Sequence, residues 1–495
     1  MKNNIYKNFF PVIVLNLVST IVAFFVPALI IKTYGPEYHG LISTIYSVTT
    51  YLMLVEAGIS AAAIQSLYRP LSIQNYKEIN GTLNAINIFY KKIGVFFFIL
   101  VVVSSVILPI FLSDTFSYLI VFSLTIVTGL SYTLEYFFYS KYKVLLQADN
   151  KLYILNWINV LAILLQGSIR IILIMNEQNI IYIQAVPACI YIIKFVLVKK
   201  YILNNYTYLD NSIKPEMNAL SKKWSVLVHQ ITNLIVNNTD TLILATVVGM
   251  NTVSQYSIYI MIINTVNLFL MQVLSHPIAS KIGHLMIQSR DKFEEYYKKY
   301  EFIYYYIVTW FFSILALIFL PFIYLYTKNV NGLNYVDNKL MILFIIIGML
   351  ANYRVPQLTL INAKGDFKET RNQAIIEALI NLFLSIILVN YYGIYGVLIG
   401  TIFSFSYRLI KMINYTCKKI LNTSIKFTYL KILQSVFLTS IIIILGKNFE
   451  FDKLSNNWIE FFINSLIVIV FVTTLQCICY LVLNIQFLKR IIYKN

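Results

Sequence analysis

The chain has 495 residues, 59% of them hydrophobic and 12% charged, with a mean hydropathy of +0.72. That composition excludes a soluble globular protein and describes a polytopic membrane protein. A formal charge of +18 would suggest nucleic acid in a soluble chain, but here it fits Lys and Arg gathering in cytoplasmic loops, so no nucleic-acid partner is expected.

Fourteen apolar spans follow one another: 9–32, 40–67, 92–112, 117–139, 152–175, 179–198, 224–248, 253–280, 301–327, 338–362, 372–391, 394–412, 431–447 and 458–486. A membrane-crossing helix needs about 20 mainly apolar residues, and the gaps between the spans are short. The first span follows Lys2 and Lys7, is too long for a signal-peptide core and lacks a small-residue cleavage pattern, so it reads as a retained helix. With the N-terminus inside, 31 of the 39 Lys and Arg fall in cytoplasmic segments. Only Lys32, Lys328, Lys339, Lys447 and Lys453 fall on the opposite side, and Arg170, Lys194 and Arg354 lie within spans. This asymmetry places both termini in the cytoplasm. Cys189, Cys477 and Cys479 sit in apolar runs and Cys417 in a basic loop, a pattern that gives neither a disulfide framework nor a metal site.

The sequence repeats itself weakly. "LLQADN" at 145–150 and "LINAKG" at 360–365 lie 215 residues apart, and the turn glycines Gly35 and Gly249 lie 214 apart. At the same offset "IILI" (171–174) matches "IILV" (386–389), and Gln166 matches Asn381. The expected fold is therefore all-α, with two parallel six-helix lobes, 1–200 and 201–425, and a C-terminal helix pair at 426–495.

Polar residues inside the spans carry the functional signal. On the seventh span His229, Asn233, Asn237 and Asp240 are spaced 4, 4 and 3, which predicts one helical stripe. On the eleventh, Gln373, Glu377, Asn381 and Ser385 recur every four residues, and the fifth carries Asn159, Gln166 and Arg170. Each amide alone reads as interhelical glue, whereas stripes on three helices favour a shared aqueous cavity. Arg354, in "ANYRVPQLT", and Glu377 lie at comparable depth on antiparallel neighbours, so they either form an ion pair or leave Arg354 to hold an anion with Glu377 as its resting partner. Pro356 predicts a kink beside them. Glu56, in "LVEAGIS", leaves pairing and proton coupling both open. Lys194 and Arg408 are near enough to the inner ends to snorkel and are given no role. The sequence has no GxxxxGK[ST], HExxH, GxSxG or DxD-type site and the chain is read as a transporter rather than an enzyme, without a cofactor.

Three stretches carry a resemblance: "YGPEYHGLISTIYSVTTYLMLVEAGISAAAIQSLYRPLSIQNYKEIN" (34–80), "NNTDTLILATVVGMNTVSQYSIY" (237–259) and "RVPQLTLINAKGDFKETRNQAIIEALINLFLSIILVNYYGIYGVLIGTIFSFSYR" (354–408). In these the chain resembles the bacterial capsular polysaccharide and O-antigen repeat-unit flippases of the multidrug/oligosaccharidyl-lipid/polysaccharide exporter superfamily. The resemblance implies a protein of the bacterial cytoplasmic membrane that moves undecaprenyl-pyrophosphate-linked oligosaccharide between leaflets by ion-coupled alternating access. It also implies membrane lipid and the polymerase and chain-length components of a polysaccharide pathway as partners. On that reading Arg354 and Arg170 meet the pyrophosphate, Asn233, Asn237, Gln373 and Asn381 meet sugar, and Asp240, Glu377 or Glu56 binds the coupling ion. A peptidoglycan-precursor flippase and a drug exporter of the same superfamily are the near alternatives. A polytopic glycosyl-polymerase or ligase is the distant one, disfavoured because such enzymes generally carry a large external loop and the external loops here are short.

Overall fold

The computed structural model describes residues 2–56, 59–112, 115–216 and 224–492; Lys222, Lys223 and Lys494, which enter the charge asymmetry, lie outside the described residues. Every regular element among these is helical, and each of the fourteen apolar spans coincides with helix. In chain order the helices are α1 (Lys2–Tyr34), α2 (Pro36–Leu52), α3 (Ile59–Ser72), α4 (Tyr76–Phe111), α5 (Tyr118–Leu134), α6 (Ser140–Ala148), α7 (Leu152–Met175), α8 (Ile180–Asn205) and α9 (Trp224–Val247). They continue with α10 (Met250–Leu270), α11 (His276–Gln288), α12 (Arg290–Tyr326), α13 (Asn338–Tyr353), α14 (Val355–Lys364), α15 (Phe367–Tyr392), α16 (Ile394–Tyr415), α17 (Lys426–Asn448) and α18 (Trp458–Ile492).

Among the described residues twelve helices are long and apolar enough to cross a membrane, two short of the expected fourteen. Of the second span the structure describes α2, 17 residues long, the 3₁₀ turn Met53–Glu56 and the 14-residue α3, with residues 57 and 58 outside the described residues. The seventh falls short because the amides and Asp240 of α9 offset its Leu, Ile and Val. The chain is a multi-pass membrane protein.

The turns carry the internal repeat. Gly35 and Gly249 both have positive φ, 92° and 120°, just before α2 and α10. Asn150 and Gly365 do so at 59° and 79°, and Glu177 and Gly393 at 52° and 55°. These pairs are 214, 215 and 216 residues apart, so the offset read from sequence recurs as left-handed backbone at matching helix ends.

Two compact units divide the chain, Met1–Ser254 and Gln255–Asn495. In the first, α1 packs on α7, α4 on α5, α5 on α8 and α2 on α9. Its core is built on Tyr90, Phe97, Tyr136, Tyr139, Leu145 and Leu146. The segment after α8 is clasped to the start of α4: Asn80 Nδ2 donates to Tyr208 O at 2.8 Å, Asn84 Nδ2 to Ile213 O at 2.9 Å, and Glu216 N to Gly81 O at 3.0 Å. In the second unit α15 packs along α16, and α12 lies against α13, α17 and α18.

Candidate functional site

The tenth span breaks at Arg354. Pro356 has no N–H to give the Asn352 carbonyl, so α13 stops at Tyr353 and α14 restarts with the proline in its first turn, where the missing donor costs little. The kink expected from sequence is therefore a junction between two helices, and Arg354 is the residue at it. Its Nη1 lies 2.5 Å from Glu377 Oε1 on α15, and Arg408 Nε, on α16, lies 3.5 Å from Glu377 Oε2. Arg408 also donates from Nη1 to the Thr370 carbonyl at 3.0 Å. The guanidinium carbon of Arg354 rests 3.8 Å from the ring centre of Phe405, one turn before Arg408.

Close approach of α15 and α16 brings Glu377 to both arginines. A Cβ on Gly400 would sit 2.6 Å from Ser385 Oγ, and one on Gly396 would overlap the Leu388 carbonyl, so these two glycines let the backbones meet. Asn381 Nδ2 donates to Thr401 Oγ1 at 3.0 Å and Ser385 Oγ to Val397 O at 3.3 Å, both from fully buried side chains. Along α15 the stripe therefore serves two ends: Asn381 and Ser385 bond the helix pair, while Glu377 holds the arginines. Gln373, one turn earlier, is half-buried and its Oε1 accepts no hydrogen bond among the described residues.

The charges do not balance. Two guanidinium groups face one carboxylate, with side-chain exposures of 18% for Arg354, 6% for Arg408 and 10% for Glu377. Arg354 bonds through Nη1 alone, so its Nε and Nη2 donors reach no acceptor among the described residues. A buried guanidinium with open donors and a net positive surround is suited to an oxyanion that accepts through two oxygens.

Solved structures share this architecture. A lipid II flippase MurJ in an inward closed conformation aligns over 98% of this chain and 100% of its own, with a TM-score of 0.67 at 15% identity. An inward-facing multidrug resistance MATE family transporter of the MOP superfamily aligns over 86% of this chain and 95% of its own, with a TM-score of 0.59 at 13% identity. A MOP superfamily transporter from Pyrococcus furiosus, described as having a binding pocket of reverse polarity, gives 86%, 97% and 0.54 at 15% identity. The chain shares the fold of these solved structures. No family model and no curated protein sequence matches it.

On this fold the remaining candidates lie in the first unit. The predicted stripe on α9 splits: Asn233 and Asn237 are exposed, with Asn237 Nδ2 donating to Asn233 Oδ1 at 2.9 Å, whereas Asp240 is 1% exposed. Seven residues turn a helix by about 700°, nearly two full turns, so Asp240 stays on the side of Asn233 and differs from it in lying further along α9, where α2 packs against the helix. Beside it Thr239 bonds to the hydroxyl of Tyr51 on α2. Arg170 is buried on α7, and its Nε has no hydrogen-bond partner among the described residues. Glu56, in the 3₁₀ turn that splits the second span, accepts from Tyr90 OH at 3.0 Å.

Three residues were missed or misjudged from sequence. Arg408, expected to snorkel, is 5% exposed and tied to Glu377, because α15 covers it before it can reach the interface. Lys194, given the same reading, lies over the rings of Tyr191 and Tyr139, at 4.3 and 4.7 Å. Glu135 opens a π-helical turn, Glu135–Tyr139, pairs with Lys143 at 3.1 Å and accepts from Tyr191 OH at 2.8 Å. An acid inside the apolar run 117–139 was the signal available for it.

Proposed function

We propose that this protein is a flippase carrying undecaprenyl-pyrophosphate-linked oligosaccharide across the bacterial cytoplasmic membrane by alternating access of two six-helix lobes, with both termini in the cytoplasm. The observation that carries the reading is the excess of one buried guanidinium at Arg354, Glu377 and Arg408, with unfilled N–H donors on Arg354. A pyrophosphate supplies the missing acceptors and charge, and Glu377 keeps the arginines compensated when it is absent. Arg170, buried in the first unit with its Nε unpartnered among the described residues, is that unit's own candidate for an anionic group. The exposed amides Asn233 and Asn237 and the half-buried Gln373 offer hydrogen bonds to sugar, whereas Asn381, expected to do the same, is fully buried and bonded to Thr401, which leaves it to hold α15 against α16. A drug exporter for organic cations is disfavoured, since its ligand would be repelled by this cluster. The MurJ-like architecture keeps a peptidoglycan precursor as the second reading, because that substrate presents the same class of head group.

The test is transport in proteoliposomes holding purified protein, with three probes: an undecaprenyl-pyrophosphate-linked oligosaccharide, a peptidoglycan lipid precursor and a cationic dye. The proposal expects translocation of the first. Movement of the precursor alone would shift the assignment to the second reading, and movement of the dye alone would overturn both.

A further inference from the structure

The second unit buries another carboxylate, remote in sequence from Glu377 and handled differently. Glu301, on α12, is 1% exposed, and no Lys or Arg forms an ion pair with it among the described residues. Its partners are neutral and come from several elements. Thr428 Oγ1, on α17, lies 3.0 and 3.1 Å from the two carboxylate oxygens. Gln357 Nε2, on α14, donates to Oε1 at 2.9 Å, and Tyr305 OH, one turn along α12, lies 3.5 Å from the same oxygen. The titratable and charged groups facing it are Tyr297, Lys298, Tyr300 and Tyr305 on α12 itself and Cys417 on the π-helical turn Thr416–Leu421; α13 brings Tyr353 against Tyr305.

A carboxylate with no ion-pair partner in such a place is costly as an anion, whereas Glu377 has two guanidiniums. The surroundings of Glu301 accept either protonation state. When ionised, it receives hydrogen bonds from Thr428 and Gln357. When protonated, Oε2–H donates to Thr428 Oγ1, and the Thr428 hydroxyl turns to Cys417 Sγ, 3.9 Å away. A metal cation fits less well: it wants roughly six oxygen ligands, and here the amide nitrogen of Gln357 holds the place beside Oε1.

The same network grips the break that carries Arg354. Gln357, three residues after it, is fixed by Glu301 Oε1 and by Tyr305 OH at 3.0 Å. The carbonyl of Tyr353, the residue before it, accepts from Tyr305 OH at 3.1 Å. A change of charge at Glu301 thus reaches both sides of Arg354 through one shared tyrosine and one glutamine.

We propose that Glu301 is a proton-binding site whose occupancy sets the position of the α13–α14 junction and so of Arg354. Its use in driving transport rests on the flippase reading; proton binding itself does not. The test uses full-length protein in membranes without any substrate. Infrared difference spectra between mildly acidic and mildly alkaline buffer should show a protonated-carboxyl C=O band that vanishes on alkalinisation. That band should be absent in Glu301→Gln, shifted in Glu301→Asp, and unchanged in Glu177→Gln and Glu450→Gln, two exposed carboxyls outside the sites described. In parallel, a cysteine placed at Lys364, the end of α14, in a chain that keeps Cys417, should react with a maleimide at a rate that, divided by that of a free model thiol in the same buffer, changes several-fold across the same pH range with Glu301 present and stays constant in Glu301→Gln. Identical spectra for wild type and Glu301→Gln overturn the proton site, and an unchanged pH response of the cysteine in Glu301→Gln overturns the coupling. Neither outcome bears on which lipid is carried, which the proteoliposome assay decides separately.

Discussion

Residues 135–139 and 350–354 occupy matching places in the two halves at the offset of 215 set by Asn150 and Gly365, yet they solve the same problem differently. In the first half the helix stays continuous through a π turn, and its acid is closed off: Glu135 has Lys143, Tyr191 and the nearby charge of Lys194, while Glu56 has Tyr90. In the second the helix is cut by Pro356, and the residue at the cut is a cation whose donors are only partly used. The first cluster is neutral, two lysines with two glutamates; the second carries one positive charge too many. A compensated network rigidifies a helix pair, whereas an uncompensated one has a place left for a ligand.

The comparison can be broken by substitution. The largest effect is expected at Glu377→Leu, which leaves Arg354 and Arg408 buried without a counter-charge and should destabilise the solubilised protein by about 3–5 kcal/mol, read as a fall in Tm. Next comes Gly400→Ala, whose methyl would meet Ser385 Oγ at 2.6 Å, wedge α16 from α15 and loosen the second cluster alone. Overpacking of that kind costs about 1–3 kcal/mol, and the loss should be recovered in part by Ser385→Gly. The smallest is Glu135→Gln: Lys143 is 43% exposed and can turn to water, so about 1 kcal/mol or less is expected. Equal losses at Glu135 and Glu377 would erase the distinction between the two clusters.

Much of this was legible in the sequence because membranes impose simple rules. Apolar runs of helical length gave the helices, the turn glycines gave the recurrent offset, and Arg354, Pro356 and Glu377 gave a kink beside two charges at one depth, with an ion pair as one of two readings. What escaped depended on packing. Whether Arg408 snorkels or is covered turns on how closely α15 lies against α16, which two glycines decide and no charge count reveals. The stripe on α9 looked uniform because spacing reports the face of a helix and not what packs against each turn of it, so the exposed amides and the buried Asp240, beside the contact with α2, appeared alike. Glu301, the first residue of its apolar span, was not singled out from sequence, because the enclosure by α14 and α17 that buries it is a matter of packing.

The central claim is that Arg354 is held ready for a pyrophosphate rather than serving only to neutralise Glu377. It is tested most directly by measuring the Kd of undecaprenyl pyrophosphate for purified wild type, Arg354→Lys, Arg354→Ala and the double variant Arg354→Ala/Glu377→Gln, each at the same folded fraction. The account predicts tight binding by wild type, weaker binding by the lysine variant, which keeps the charge but not the planar fork, and loss of binding in both variants that lack Arg354. A double variant that binds like wild type would contradict it, since removing the pair together would then restore all that Arg354 contributes.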